Sequence, residues 1–444
     1  MVCSLMTMCV QGQNIVGDWM GALKLPGVSL RLVLHISQTD EGGYAATLDS
    51  PDQNAKGMPV STTSFAEGVL KIAMPNLMME YEGTLQGDTL LDGTFKQMGQ
   101  TFKLQFKRAA AGALTLHRPQ EPKAPFPYYI EEVRFDNPQA GITLAGTLTL
   151  PRESGGPYPA VVLISGSGAQ NRDEELLGHK PFLVLADYLT RAGFAVLRYD
   201  DRGSFASTGD YKTATTFDFS TDAEAALNYL QTRKEINSKQ IGFAGHSEGG
   251  LIAPMIAARN GDVAFVILLA APGVRGDQVL LAQQEALLAQ SNLDEQTVAA
   301  ALATNKMLFE KITQSSGSFE QIKAAALQEL PQAQREEVGR QLTPWMFYFL
   351  KCDPVPYLEK TRCPVLALNG DKDLQVIATQ NLPAIREALL KGGNQRVTTH
   401  LLPGLNHLFQ ECTTGMPQEY QTIEQTFSPK ALQVIVNWLR EIHL

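Results

Sequence analysis

Between Ile15 and Arg108, apolar and polar positions alternate in short runs broken by Gly, Asp and Asn, as in Ser29-Leu30-Arg31-Leu32-Val33-Leu34-His35-Ile36. A period of two puts one face of each run against a core and the other against water, the pattern of half-buried strands. The rhythm returns at Tyr81-Glu82-Gly83-Thr84-Leu85 and Gly93-Thr94-Phe95-Lys96, so residues 15–108 are predicted to form a small all-β domain, a barrel or a sandwich. Ala109-Ala110-Ala111-Gly112, followed by Pro119, Pro122, Pro125 and Pro127, predicts a linker over residues 109–128.

After Tyr129 the pattern changes to continuous apolar runs separated by helical spacing. The runs are Ala160-Val161-Val162-Leu163-Ile164, Ala195-Val196-Leu197-Arg198-Tyr199, Ile241-Gly242-Phe243-Ala244, Phe265-Val266-Ile267-Leu268-Leu269 and Val365-Leu366-Ala367-Leu368. Strands buried on both faces read this way, so residues 129–444 are expected to form an α/β domain with a mostly parallel, doubly wound sheet. An insertion at about 277–358, rich in Ala, Leu, Gln and Glu, predicts a helical cap between the last two strands. Its end, Pro344-Trp345-Met346-Phe347-Tyr348-Phe349-Leu350, is either helix-to-core packing or a substrate-facing wall.

Composition narrows the picture. A chain of 444 residues with net charge -9, 44% hydrophobic and 19% charged residues is that of a soluble multidomain protein, and its acidic balance argues against a nucleic-acid partner. Cys3, Cys9, Cys352, Cys363 and Cys412 are too few for a disulfide framework and lack metal-ligand spacing, so no metal or cofactor is expected. A bridge between Cys352 and Cys363 stays open. No stretch approaches the roughly 18 to 20 apolar residues of a membrane span. Residues 1–11 are apolar and meet Gly12-Gln13-Asn14, like the end of a secretory signal without its positive start. Residues 1–14 are therefore expected to be a signal remnant and the protein exported, periplasmic or secreted, the alternative being a frayed cytoplasmic terminus. Nothing in the sequence specifies an oligomeric state.

Gly245-His246-Ser247-Glu248-Gly249 fits the pattern G-x-S-x-G, directly after an apolar strand and before the helical run Leu251-Ile252-Ala253-Pro254-Met255. Glycines flank such a serine because the turn is crowded and strained. A serine hydroxyl needs a base that is itself oriented by an acid. His407 follows a late strand in the loop Leu402-Pro403-Gly404-Leu405-Asn406, and Asn369-Gly370-Asp371-Lys372-Asp373 supplies two competing acids. Asp373, three positions after Gly370, is preferred, with Asp371 left to cap the turn. The amides of Ser167 and Glu248 are the candidates for binding an oxyanion. The glycines around Ser167 do not make a phosphate cradle, since no G-x-x-x-x-G-K pattern exists.

From Tyr129 to Leu444 the chain resembles the α/β-hydrolase superfamily, in particular bacterial esterases and serine-aminopeptidase-like hydrolases. The likeness lies in Ser165-Gly166-Ser167-Gly168 with Arg172-Asp173, in Asp200-Asp201-Arg202-Gly203-Ser204, in the serine pentapeptide and in Gly370-Asp371-Lys372-Asp373. Gly17-Asp18-Trp19 and Leu48-Asp49-Ser50-Pro51-Asp52 are similar to the β domain that precedes the hydrolase in some of these esterases. Ser165 stands where many relatives have His, and Gly203-Ser204-Phe205 replaces a frequent Gly-x-Gly; neither change removes a backbone donor, so they bear on specificity. The resemblance implies an α/β-hydrolase fold and hydrolysis of small or medium carboxylic esters through an acyl-enzyme. Ser247, His407 and Asp373 would act as the triad. A serine peptidase of the prolyl-oligopeptidase or aminopeptidase type, cleaving short peptides with a cap acid such as Glu329 or Asp353 as anchor, is the alternative. A non-catalytic binding protein on the same scaffold is the remote one.

Overall fold

The computed structural model describes residues 14–25, 28–51, 55–109, 117–291 and 293–442; the apolar start, with Cys3 and Cys9, lies outside the described residues. The chain divides into two compact units, Met1–His117 and Arg118–Leu444.

The first unit is one antiparallel sheet. Its strands are β1 (Gly17–Leu25), β2 (Val28–Gln38), β3 (Tyr44–Ser50), β4 (Ala55–Pro59), β5 (Thr62–Ala66), β6 (Val69–Met74), β7 (Met79–Gln86), β8 (Leu90–Gln97) and β9 (Gln100–Arg108), in the order β4-β3-β2-β1-β9-β8-β7-β6-β5. The sheet curls so that β5 comes against β3 around a single interior, and it is not a two-sheet sandwich. Alternation decides which side chains enter: Met79, Tyr81 and Leu85 of β7 are buried while Glu80, Glu82 and Gln86 face water. Tyr81 lies across the paired Gly83 and Gly93, where an added Cβ would come within 2.3 Å and 2.6 Å of its ring and hydroxyl atoms.

The second unit is built on an eight-stranded sheet of β10 (Tyr129–Asn137), β11 (Ile142–Leu150), β12 (Tyr158–Ile164), β13 (Ala195–Tyr199), β14 (Ile236–His246), β15 (Val266–Leu269), β16 (Val365–Gly370) and β17 (Val397–Leu402). Their order is β10-β11-β13-β12-β14-β15-β16-β17; β10 and β11 pair antiparallel at one edge, and the remaining strands run parallel. The helices are α1 (Pro181–Arg191), α2 (Thr216–Gln231), α3 (Glu248–Ala257), α4 (Gly276–Leu288), α5 (Glu295–Gln314), α6 (Phe319–Gln328), α7 (Gln332–Gln341), α8 (Pro344–Lys351), α9 (Val355–Leu358), α10 (Ala378–Lys391), α11 (Pro417–Tyr420) and α12 (Pro429–Glu441). Both sheet faces are covered: Ala160, Val162 and Ile164 of β12 join one apolar cluster with α2 and α3, while Val161 and Leu163 join another with α1 and α12. That two-sided burial is why these strands read as unbroken apolar runs.

Helices α4 to α9 lie between β15 and β16, and α5 to α8 carry a small core of their own around Leu308, Ile312, Ile322, Leu342 and Leu350. The insertion leaves and rejoins the sheet through a narrow neck. There the amide of Gly276 donates to the Cys352 carbonyl at 3.1 Å, and a Cβ on Gly276 would stand 1.9 Å from the Phe349 carbonyl. Among the described residues no helix is long and apolar enough to cross a membrane.

Of the linker expected over 109–128, residues 110–116 lie outside the described residues, and the part from Arg118 belongs to the second unit. From Arg118 onward the chain is docked onto the second unit: the Arg118 guanidinium donates to the carbonyls of Gly178, Gln421 and Ile423, and Gln120 binds the backbone of Thr426 and Phe427. Proline content marks an extended segment, but extended backbone with unpaired polar groups docks as readily as it dangles. Cys352 and Cys363 are both free thiols; burial pushes each up to about 12.

Candidate active site

Ser247 sits between the end of β14 and the start of α3 with φ 52° and ψ -116°, a left-handed backbone that side-chain-bearing residues seldom adopt. Its amide donates to the Leu269 carbonyl at 2.8 Å, which pins the turn to the neighbouring strand β15. The two flanking glycines are sterically required: a Cβ on Gly245 would meet the Gly249 carbonyl at 2.0 Å, and one on Gly249 would meet the Ile164 carbonyl at 2.1 Å. Glycine at both flanking positions is what this crowded backbone requires.

His407 and Asp373 come together from the loops after β17 and β16. His407 Nδ1 lies 2.8 Å from Asp373 Oδ2, and both side chains are buried. The other oxygen, Oδ1, accepts the amides of Gln375 and Val376 at 2.8 and 2.9 Å, so the carboxylate is clamped with one face toward the imidazole. Asp371 is exposed and accepts the Gly404 amide at 2.6 Å, away from His407. No hydrogen bond joins the Ser247 hydroxyl to His407 among the described residues; in unliganded hydrolases this contact is often long and tightens around substrate.

The loop 165–174 is held by acids from two directions. Arg172 grips Asp200 with Nε at 3.0 Å and Nη2 at 2.8 Å and also contacts Glu132. Asp201 accepts the Ser165 hydroxyl and the Gln170 amide, each at 2.9 Å, and Glu174 accepts the Gly166 amide at 2.6 Å. The amides of Ser167 and Glu248 are not taken up by any hydrogen bond between loops or to side chains, and Glu248 opens α3, where first-turn amides have no helical acceptor. Both candidate donors are therefore available.

Sequence reasoning used Glu248 only for its backbone and did not single out Glu174 or the carboxyl of Asp201. The Glu248 carboxyl is buried and accepts the Thr216 hydroxyl and the Trp345 indole N–H, both at 2.7 Å, joining the serine turn to α2 and to the aromatic helix of the insertion. Burial pushes it up to about 7, against the pull of those two hydrogen bonds; burial likewise pushes Asp201 up to about 8, opposed by its bonds from Gln170 and Ser165 and reinforced by the charge of Glu248. Among the described residues no group of three His, Cys, Asp or Glu side chains is arranged to hold a metal ion.

A carboxyl whose folded value lies above its unfolded one binds more protons when folded. Its contribution to stability is complete below about pH 4 and is lost as pH rises toward 7 or 8. Glu248→Gln keeps an oxygen for Thr216 and Trp345 but cannot ionise. Its melting temperature is expected to fall less than that of the wild type between pH 5 and 8.5, a difference of at most about 1.4 kcal/mol per pH unit. Parallel curves in a pH series of thermal melts would remove Glu248 as a titrating group.

A family model described as X-Pro dipeptidyl-peptidase (S15 family) matches residues 140–398. Esterase EstD from Thermotoga maritima is 28% identical over 285 residues, 64% of this chain and 62% of the esterase, so the chain matches less than two thirds of that relative's length. Among solved structures, esterase Pf2001 of Pyrococcus furiosus has 15% identity and a TM-score of 0.43, covering 71% of this chain and 93% of that one. Est1E of Butyrivibrio proteoclasticus, solved with ferulic acid, has 17% identity and a TM-score of 0.43, covering 70% and 96%. With more than half of its length matched by the family model, and with the serine turn, the paired acid and histidine and the mainly parallel sheet all inside or flanking that match, the chain belongs to the X-Pro dipeptidyl-peptidase (S15) family of α/β hydrolases.

Proposed function

We propose that this protein hydrolyses small or medium carboxylic esters through an acyl-enzyme on Ser247. Ser247 Oγ attacks the ester carbonyl, His407 Nε2 takes its proton and passes it to the leaving alcohol, and Asp373 holds Nδ1–H and so fixes the tautomer. The amides of Ser167 and Glu248 receive the oxyanion, and water then repeats the sequence to release the acid. The single observation that carries this reading is the His407–Asp373 pair beside a serine held in a left-handed turn between strand and helix.

The family name favours a second reading, a serine peptidase. A peptidase acting near a free N-terminus needs an acid for the substrate amine, and the nearby acids are occupied: Glu248 by Thr216 and Trp345, Asp201 by Ser165 and Gln170. In the insertion, Glu329 pairs with Lys311 and Asp353 accepts the Val355 amide. The ester reading therefore stands first. A panel of p-nitrophenyl esters and aminoacyl and Xaa-Pro p-nitroanilides decides: higher kcat/KM on esters is expected, and preference for the anilides reverses the order. The export expected from residues 1–11 is also a proposal, checked by cell fractionation.

The aromatic end of the insertion divides between two roles. Phe349 is buried against Leu251, Met255 and Cys352, whereas Trp345 is half-buried, stacks on Phe349 with centroids 5.3 Å apart, and reaches Glu248 beside the serine. Trp345→Ala is expected to change the ratio of kcat/KM between short and medium p-nitrophenyl esters several-fold, about the worth of one or two methylenes. Phe349→Ala is expected to leave that ratio alone and to cost about 3 to 5 kcal/mol of stability. Unchanged ratios in both would return the whole stretch to core packing.

A further inference from the structure

We propose that Glu174 and His246 form a buried carboxylate–imidazolium brace that fixes the backbone of His407 and the loop carrying Ser167 relative to one another, making them positioning residues for hydrolysis. The inference rests on the roles proposed above for Ser247, His407 and Ser167.

His246 precedes the serine but does not point toward its hydroxyl. Its Nδ1 lies 2.8 Å from Glu174 Oε1 and its Nε2 lies 2.9 Å from the His407 carbonyl oxygen. Both ring nitrogens therefore face acceptors. A neutral imidazole carries one N–H, so against a carboxylate at Glu174 and a carbonyl at His407, satisfying both partners takes the doubly protonated ring. The counter-charge is Glu174, whose same oxygen also accepts the Gly166 amide at 2.6 Å. The two side chains are 7% and 5% exposed, so an unmatched charge on either would be costly. Glu174, His407 and Asp373 are the titratable groups facing the ring, and Phe409 packs against it edge-on. Burial works against the charged ring, but the charge and hydrogen bond of Glu174, the His407 carbonyl and Asp373 outweigh it and hold His246 above its ordinary value.

Three chain segments meet in this pair. The His407 carbonyl is held by His246 while the His407 ring is held by Asp373, so the residue is fixed at both backbone and side chain. The Gly166 amide is held by Glu174, which fixes the Ser165–Gly166 peptide, one unit before the peptide that carries the Ser167 amide. Glu174 itself has φ 51°, a left-handed conformation for a residue with a side chain. The surroundings hold it there, and strain of that kind concentrates at functional sites.

A brace acts on the geometry of the reacting groups, not on the affinity for substrate. Glu174→Gln preserves size and the acceptor for Gly166 but removes the charge, leaving His246 one proton for two acceptors. On p-nitrophenyl acetate, kcat is expected to fall roughly 10- to 100-fold, with KM within about threefold. Fluorophosphonate labelling of Ser247 should slow in parallel. The double variant Glu174→Gln/His246→Gln should be little worse than either single one, because the two act as a unit. In the wild-type protein, a pH series of ring 15N shifts should show His246 keeping both ring protons to higher pH than an ordinary histidine, and Glu174→Gln should lose one of them at lower pH.

A folded Glu174→Gln protein with wild-type kcat and labelling rate overturns the brace, as does a wild-type His246 that loses a ring proton at no higher pH than an ordinary histidine. The NMR measurement needs only the wild-type chain, so it decides even where a variant does not fold. Absence of fluorophosphonate labelling at Ser247 in the wild type instead overturns the proposed triad, leaving the charge state of the pair to be read separately.

Discussion

Ser247→Ala is expected to abolish ester turnover, with kcat lowered by at least about a thousandfold, and to end fluorophosphonate labelling altogether. The variant removes a hydroxyl and nothing else. The strain at this position belongs to a left-handed backbone that any Cβ experiences alike, so alanine neither relieves nor adds to it, and the backbone amide at 247 still reaches Leu269. The melting temperature should stay within a degree or two of the wild type. Activity surviving above about a thousandth of the original would mean that another group attacks the substrate, since loss of a triad nucleophile typically costs far more. A folded wild-type protein that is inert to every ester, anilide and fluorophosphonate would favour the non-catalytic scaffold.

Asp373→Asn is expected to lower kcat by about 10⁴-fold, while Asp371→Asn changes it by no more than about threefold. The asymmetry follows from the hydrogen bonds. An asparagine at 373 must keep its oxygen on the amides of Gln375 and Val376, which only an acceptor can satisfy. That turns its NH₂ toward His407 Nδ1 and forces the ring to carry its proton on Nε2, where it cannot take one from serine. The Asp371→Asn change keeps an oxygen for the Gly404 amide, and the native Asp371 is exposed, so nothing near the imidazole changes. Side-by-side kcat values with thermal melts check this, and equal losses at the two positions would transfer the role to Asp371.

Much of the architecture was legible in the order of residues alone. Val161 and Val162 face opposite sides of the sheet into two different cores, so the strand had to be apolar throughout, and that is what an unbroken run records. In the first unit, the alternation of Met79, Tyr81 and Leu85 with Glu80 and Glu82 announced one wet face. Whether those strands closed round one interior or split into two sheets was not written in the alternation, because both arrangements bury one face of every strand. Docking of Arg118 and Gln120 was hidden for a similar reason: their partners are backbone carbonyls and amides, which every residue type presents.

The sequence by itself marked the serine turn: Gly245 is crowded by its near neighbour Gly249, although Gly249 is crowded by Ile164 of a distant strand, and the glycines that both contacts demand are spelled out in the chain. It also determined the order of serine, acid and histidine, and left two acids in competition. Only the tertiary structure decided that Asp373 meets His407, that Phe349 is core while Trp345 reaches the serine turn, and that Glu174 lies against His246. Hydrogen bonding depends on what stands within about 3 Å and charge state on burial and nearby charges, and in a buried site those neighbours come from distant parts of the chain. Glu174 and His246 are 72 residues apart, and His246 and the carbonyl that it holds are 161 apart. No periodicity or spacing carries that information, because it arises only when the loops after separate strands converge at one edge of the sheet.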